Sequence, residues 1–342
     1  MPNDEINASP VSAEPAGSAG SARPGAAGFD RPLLLTPGQD LAGFVSSALG
    51  RAFLTLVASL TILAVLLIFV FIIQKSWPFF SSGHGDEALT SADWFPTHEE
   101  AREFGALAMF YGSGMVTLGA MIIAMPVGLL AAVCLSDIVP FRVGQIIKPV
   151  IEILAAIPSV AFGFFAVLVV APWMQRVLGI PSGTNGLNAS ILLAFMALPT
   201  VVSISEDALT AIGRELREGA YAVGATRAEV LLKVIIPAAH SGIIAAVILG
   251  VMRAVGETML VWMAAGMSAQ VAEPWWDLTA SMRTLTATIA QEMGEAPEGG
   301  LHRQALFTLG LSLLVMTFVL NLVSEYFLAR AKRVAEGRAK PK

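Results

Sequence analysis

Six stretches of this chain are apolar for long enough to cross a membrane, at about 52–74, 107–134, 149–172, 189–205, 239–263 and 305–328. About 20 predominantly apolar residues, rising 1.5 Å each, cover the ~30 Å hydrocarbon layer, so the pattern predicts six transmembrane helices and an all-α integral membrane protein. The fourth stretch is the least regular, because it carries Pro199 and several hydroxyl residues. The first begins some fifty residues into the chain and is long enough to span, so it is expected to stay as an anchor rather than be cleaved as a secretory signal.

Charge orients these spans. Six crossings place both termini on one side, and the end of the chain holds Arg330, Lys332, Arg333, Arg338, Lys340 and Lys342, which the positive-inside rule assigns to the cytoplasm. In that orientation 15 of the 21 Lys and Arg lie inside, while Lys75, Arg102, Arg176, Arg283 and Arg303 lie outside and Arg253 falls within the fifth span. Residues 7–28 hold 18 Ala, Gly, Ser or Pro in 22 positions, too little apolar surface to offset the entropy of ordering. The expected organisation is a disordered tail over 1–45, a first helix and outer loop over 46–106, a transmembrane domain over 107–330, and a basic tail over 331–342.

Composition narrows the function. The chain is 55% hydrophobic and 14% charged, against about 25% charged in soluble domains. Its net charge of -5 argues against a nucleic-acid partner, which favours basic faces. A single cysteine, Cys134, allows no intramolecular disulfide and makes a thiolate zinc site improbable. The histidines have no H-E-x-x-H spacing and no G-x-S-x-G elbow occurs, so Ser113, between Gly112 and Gly114, reads as a small contact on the second span. No Gly-Lys dipeptide exists, hence no P-loop, and any ATP chemistry with its Mg must belong to a partner; no cofactor is expected in this chain.

Apart from Glu325 at the end of the sixth stretch, three charges fall within the predicted spans: Glu152, Arg253 and Glu257. Each costs roughly 3 kcal/mol on insertion scales and is a functional candidate by default. Arg253 and Glu257 are four residues apart, on one helix face about a turn apart, and can pair. Gly242, Ala246, Gly250 and Ala254 recur on nearly the same face as a small-residue ridge, which turns the charges toward protein or a water-filled path. Two readings stay open. The pair locks helices together, or Arg253, whose guanidinium fork matches oxyanions, meets an anion in transit while Glu257 holds it in the anion's absence. Glu152 has its own bland reading, a helix-end carboxylate neutralised by Lys148. Trp275 and Trp276 in the outer loop read as interfacial anchors.

Between the fourth and fifth spans, residues 206–238 carry nine charges, yet Leu209, Ile212, Leu216, Ala220 and Val223 repeat at helical spacing. This predicts an amphipathic helix, a turn at Gly224 and a second short helix that Pro237 ends or redirects. Glu218-Gly219-Ala220, Gly224, Val234, Ile236 and Pro237 keep every spacing of the EAA loop of ABC importer permeases, with Gly219, Val234 and Ile236 as small departures from its Ala, Ile and Leu. The resemblance implies a coupling helix seated in a cleft of a separate ATPase, with Glu218, Gly219, Ala220, Gly224 and Pro237 as its coupling residues.

The stretches Lys148–Gly163, Leu198–Leu209, Arg253–Met259 and Gly300–Phe307 narrow the likeness. Together they resemble the phosphate-specific permease family, PstC, over about 107–328. That resemblance implies a type I ABC importer permease (MetI-like) fold in a bacterial inner membrane. It also implies a heterodimer with a PstA-type permease, two copies of a PstB-type ATPase, a PstS-type binding protein outside, and phosphate as the cargo. Arg253 and Glu257, joined by Glu152 and Ser159 of the first matching stretch, form the expected substrate path. Alternatives are a sulfate or molybdate permease, a PstA-type sister subunit, and an ion channel or secondary transporter; the last leaves the 206–238 loop without a role.

Overall fold

The structure, a computed structural model, describes residues 37–85, 90–97 and 102–335. The disorder expected of residues 1–45 lies outside these as far as residue 36, as does the basic tail beyond 335. Six helices are long and apolar enough to cross a membrane: Ala48–Ser81, Leu107–Ile138, Ser159–Leu178, Gly186–Thr210, Arg227–Val255 and Leu301–Arg330. The chain divides inside the first helix, α1 (Pro37–Ser81), between Val65 and Leu66. On the near side of that division Phe53, Leu54 and Leu60 are exposed, as suits a helix surrounded by lipid.

A short hairpin pairs β1 (Trp94–Phe95) antiparallel to β2 (Glu103–Phe104), with Trp94 opposite Phe104. The second span is α2 (Leu107–Val133). An amphipathic helix, α3 (Phe141–Ala156), precedes the third span, built from α4 (Ser159–Phe165) and α5 (Ala171–Leu178). This corrects the expectation of a third span from residue 149. Ile157 is extended (ψ 127°) because Pro158 follows it, so the apolar run breaks there and Glu152 lies outside the span on exposed α3.

The fourth span, α6 (Gly186–Thr210), has the largest buried share of the six, 61% of its central window. That explains its irregular composition. Ser190 donates to the carbonyls of Val116 and Gly186, and hydroxyls that bond backbone are at home in a helix facing protein rather than lipid. α6 stops at Thr210, the chain turns through Ala211–Gly213, and α7 (Arg214–Ala222) starts afresh. One amphipathic helix through Val223 is therefore replaced by two pieces: Leu209 is fully buried at the end of α6, whereas Val223 is 84% exposed.

The fifth span begins at α8 (Arg227–Glu229) and continues through a π-turn, Val230–Ile235, into α9 (Ile236–Val255), so Pro237 redirects the helix without ending it. Two further π-turns occur, Cys134–Ile138 and Ala166–Val170. Each of the three is followed two residues later by a proline: Pro140, Pro172 and Pro237. Where the helix continues, at Pro172 and Pro237, a proline ring in α-register would collide with the carbonyl four residues back, and the wider turn moves that carbonyl away; at Pro140 the helix has already ended at the extended Val139. After α9 come α10 (Met259–Ala264), α11 (Leu285–Glu292) and the last span, α12 (Leu301–Ala335). The small-residue ridge packs inside the chain. A Cβ on Gly242 would lie 2.5 Å from that of Ala208, and one on Gly250 2.8 Å from Val201, so α9 and α6 meet almost backbone to backbone.

Candidate functional site

The predicted fifth helix over 239–263 is not continuous. α9 ends at Val255, Gly256–Thr258 are non-helical, and α10 restarts at Met259. The charges at this break follow from it. Arg253 sits in the last turn of α9, half-buried, and its Nε is buried without a hydrogen-bond partner. Among the described residues no ion pair joins it to Glu257. Glu257, 9% exposed, instead accepts from the Leu260 amide at 3.3 Å, capping the first turn of α10 as acidic side chains do at helix starts. The expectation that the two pair on one helix face therefore fails, because the helix ends between them.

Hydroxyls surround the break. Thr286 on α11 donates to the Glu257 carbonyl at 2.7 Å and lies 3.3 Å from the Thr284 hydroxyl. Ser113 on α2 accepts from the Leu285 amide at 3.0 Å, so the Gly-Ser-Gly of the second span is a seat for the segment that enters α11. Gly112 is required there, since a Cβ would meet the Arg283 carbonyl at 2.2 Å. A cavity of about 10 Å³ between Ser113, Thr117, Glu257, Thr284 and Thr286 is close to the size of one water. Ser159 begins α4, which packs on α10 where Gly163 approaches Met263. Among the described residues no hydrogen bond or ion pair joins Glu152 or Ser159 to Arg253 or Glu257.

At the opposite end of α6, Glu218 and Gly219 are exposed and Ala220 half-buried on α7. Gly224 turns the chain at φ +87°, a backbone open to glycine and costly for other residues. Thr226 and Glu229 then close a reciprocal capping box that starts α8. Pro237 is exposed just beyond the π-turn that follows α8.

Ion pairs hold this end together, and the sequence pattern did not signal them. Arg217 on α7 pairs with Asp137 at the end of the second span and donates to the Leu209 carbonyl at 3.0 Å. Lys148 reaches Glu206 at 2.6 Å and Asp207 at 3.4 Å, not Glu152 as the four-residue spacing suggested. The Glu206 hydrogen bond holds the Lys148 ammonium above the usual lysine range, against the pull of partial burial.

A second cluster at the α11 end is equally unheralded. Glu292 takes Arg283 at 2.5 Å, His302 at 2.8 Å and the Trp94 indole at 3.0 Å, tying the hairpin, α11 and α12 together. Trp275 and Trp276 are both 62% exposed, in keeping with interfacial use.

Among the described residues no group of histidine, cysteine, aspartate or glutamate is placed to hold a metal ion. The arrangement offers a broken helix carrying an unmatched cation. Comparison with known proteins gives a consistent picture. The family described as Binding-protein-dependent transport system inner membrane component matches residues 124–333. A probable ABC transporter permease of Bacillus subtilis (strain 168) is 36% identical over 285 residues, covering 83% of this chain and 91% of that protein. The phosphate transport system permease protein PstC of Mesorhizobium japonicum is 36% identical over 275 residues, covering 75% and 81%. Among solved structures, the inward-facing MetNI methionine ABC transporter covers 69% of this chain and 96% of its own, with a TM-score of 0.51 at 17% identity, a likeness of fold alone.

Proposed function

The chain belongs to the binding-protein-dependent transport system inner membrane components, and from that premise we propose that it is the PstC-type permease subunit of an ATP-driven phosphate importer. Relatives named for phosphate transport across most of their length support this reading. Membership of such an importer brings a second permease, an ATPase and a substrate-binding protein. In this reading they are a PstA-type permease, two copies of a PstB-type ATPase and a PstS-type binding protein, with both termini cytoplasmic. Glu218, Gly219, Ala220, Gly224 and Pro237 form the face that the ATPase grips.

The observation that carries the substrate reading is Arg253. A buried guanidinium nitrogen without a partner costs about 1–3 kcal/mol, so the site favours an acceptor that the described residues do not supply. A tetrahedral oxyanion moving along the break in the fifth span meets that description, held through paired N–H donors. Glu257, inside the break itself, sets a carboxylate beside this route, which disfavours a long stay and lets the anion pass. Ser159, at the start of the third span, belongs to the same path, and Glu152, on α3 ahead of that span, to its cytoplasmic mouth.

The test is genetic. The gene is deleted from its host and restored as wild type or as Arg253→Ala, and uptake of labelled phosphate and sulfate is measured at low concentration with membrane levels checked. Wild type is expected to restore phosphate uptake alone, and the variant to insert normally without restoring it. Uptake independent of this chain overturns the phosphate assignment.

A further inference from the structure

Away from the break, a crevice of about 660 Å³ lies where the end of α1 meets the start of α12, within the range of sites for small ligands, about 300–1,000 Å³. Two cations from different helices line it, Lys75 on α1 and Arg303 on α12, with the amides Gln74 and Gln304. Its apolar side is Phe71 and Phe307, edge to face at 5.8 Å, with the Lys75 ammonium 5.8 Å from the Phe71 ring centre. Lys75 lies close to the end of the first span and Arg303 close to the start of the sixth, so both stand at the level of the lipid headgroups on one face of the membrane.

Charge here is unbalanced. The carboxylate lining the crevice is Glu298, 3.5 Å from Arg303, with its side chain 91% exposed, and such a pair is weak. Among the described residues Lys75 has no carboxylate partner. One positive charge is left over beside aromatic rings that face the acyl region. A phosphodiester carries one negative charge and accepts from lysine and arginine alike. A free, fully hydrated anion gains nothing from the two rings, whereas a lipid uses both halves of the crevice.

We propose that Lys75 and Arg303 form a binding site for an anionic phospholipid, holding its phosphodiester between the first and sixth spans with an acyl chain against Phe71 and Phe307. Neither Arg253 nor Glu257 lines the crevice, and the proposal is independent of which ion the protein carries.

The full-length protein, purified with the subunits that accompany it, is placed in nanodiscs of phosphatidylcholine with or without phosphatidylglycerol. Retained phosphatidylglycerol is counted by native mass spectrometry and the thermal unfolding midpoint is recorded. Wild type is expected to retain the lipid and unfold at a higher temperature in its presence. Lys75→Gln and Arg303→Gln should each lower retention about fivefold, and the pair about thirtyfold, the scale set by single basic side chains at a charged membrane surface. Both variants should unfold as wild type does in phosphatidylcholine alone. Equal retention in wild type and the double variant overturns the proposal, as does a lipid-dependent rise in unfolding temperature that the double variant keeps in full. If the double variant fails to fold, Lys75→Gln, at an exposed position, decides the matter alone.

Discussion

An arginine in the last turn of an apolar helix is held only by what its nitrogens reach, and among the described residues Arg253 reaches nothing through Nε. If its role is to present a donor fork to an oxyanion, charge alone is not enough. Arg253→Lys keeps the charge and loses the fork, so phosphate uptake should fall roughly tenfold or more at normal membrane levels, the loss of one charge-assisted hydrogen bond of ~1.5–3 kcal/mol. Equal uptake by the lysine variant would reduce Arg253 to a point charge. Thr286 tests the break itself. Its hydroxyl satisfies the Glu257 carbonyl at 2.7 Å in a buried setting. Thr286→Val is nearly isosteric and strands that carbonyl, which should destabilise the protein by about 1–3 kcal/mol in thermal unfolding, while Thr286→Ser should stay near wild type.

Among the elements, the spans were legible and their interruptions were not. Apolar length marks a crossing because lipid demands it, so five of the six expected stretches lie largely within observed spans and the third is displaced. Interruptions depend on one residue in context. Pro158 ends a helix through the residue before it, Pro237 only widens a turn, and α9 ends before Gly256, between two charges whose four-residue spacing had suggested a pair. The ion pairs linking elements were equally hidden, since partners such as Arg217 and Asp137 are distant in sequence. That pair has a consequence for coupling. α7 carries Glu218 toward the proposed ATPase, and Arg217 beside it is anchored both to the end of the second span and to the last turn of α6. Asp137→Asn should leave ATP hydrolysis by the assembled transporter near wild type but lower phosphate moved per ATP about fivefold or more, the lower end of typical coupling energies. Exchanging the two charges, Asp137→Arg with Arg217→Asp, should recover much of the loss. Hydrolysis and uptake that fall together in Asp137→Asn would mean that the pair serves assembly instead.

At the scale of the whole molecule, one lysine ties a helix that is not among the spans to the most buried of them. α3 has no place among the spans, yet Lys148 joins it to Glu206 and Asp207 near the end of α6, the most buried span. The Glu206 hydrogen bond raises the Lys148 pKa above its value in the unfolded chain, which fixes the sign of the pH dependence. A group with a raised folded pKa contributes its full share of stability below its unfolded pKa and loses that share as pH climbs through the folded one. The tie should therefore be constant across neutral pH and disappear only in strongly alkaline solution. Because Lys148 is 40% exposed, solvent screens the pair and its contribution is modest. The measurement is the difference in unfolding temperature between wild type and Lys148→Met, followed from about pH 6 to about pH 11, near the ordinary lysine pKa of about 10.4. A steady difference up to about pH 10 that then closes is the expected course. A difference that opens or closes near neutrality would mean that another group, with a pKa in that range, sets the attachment of α3 to the transmembrane core.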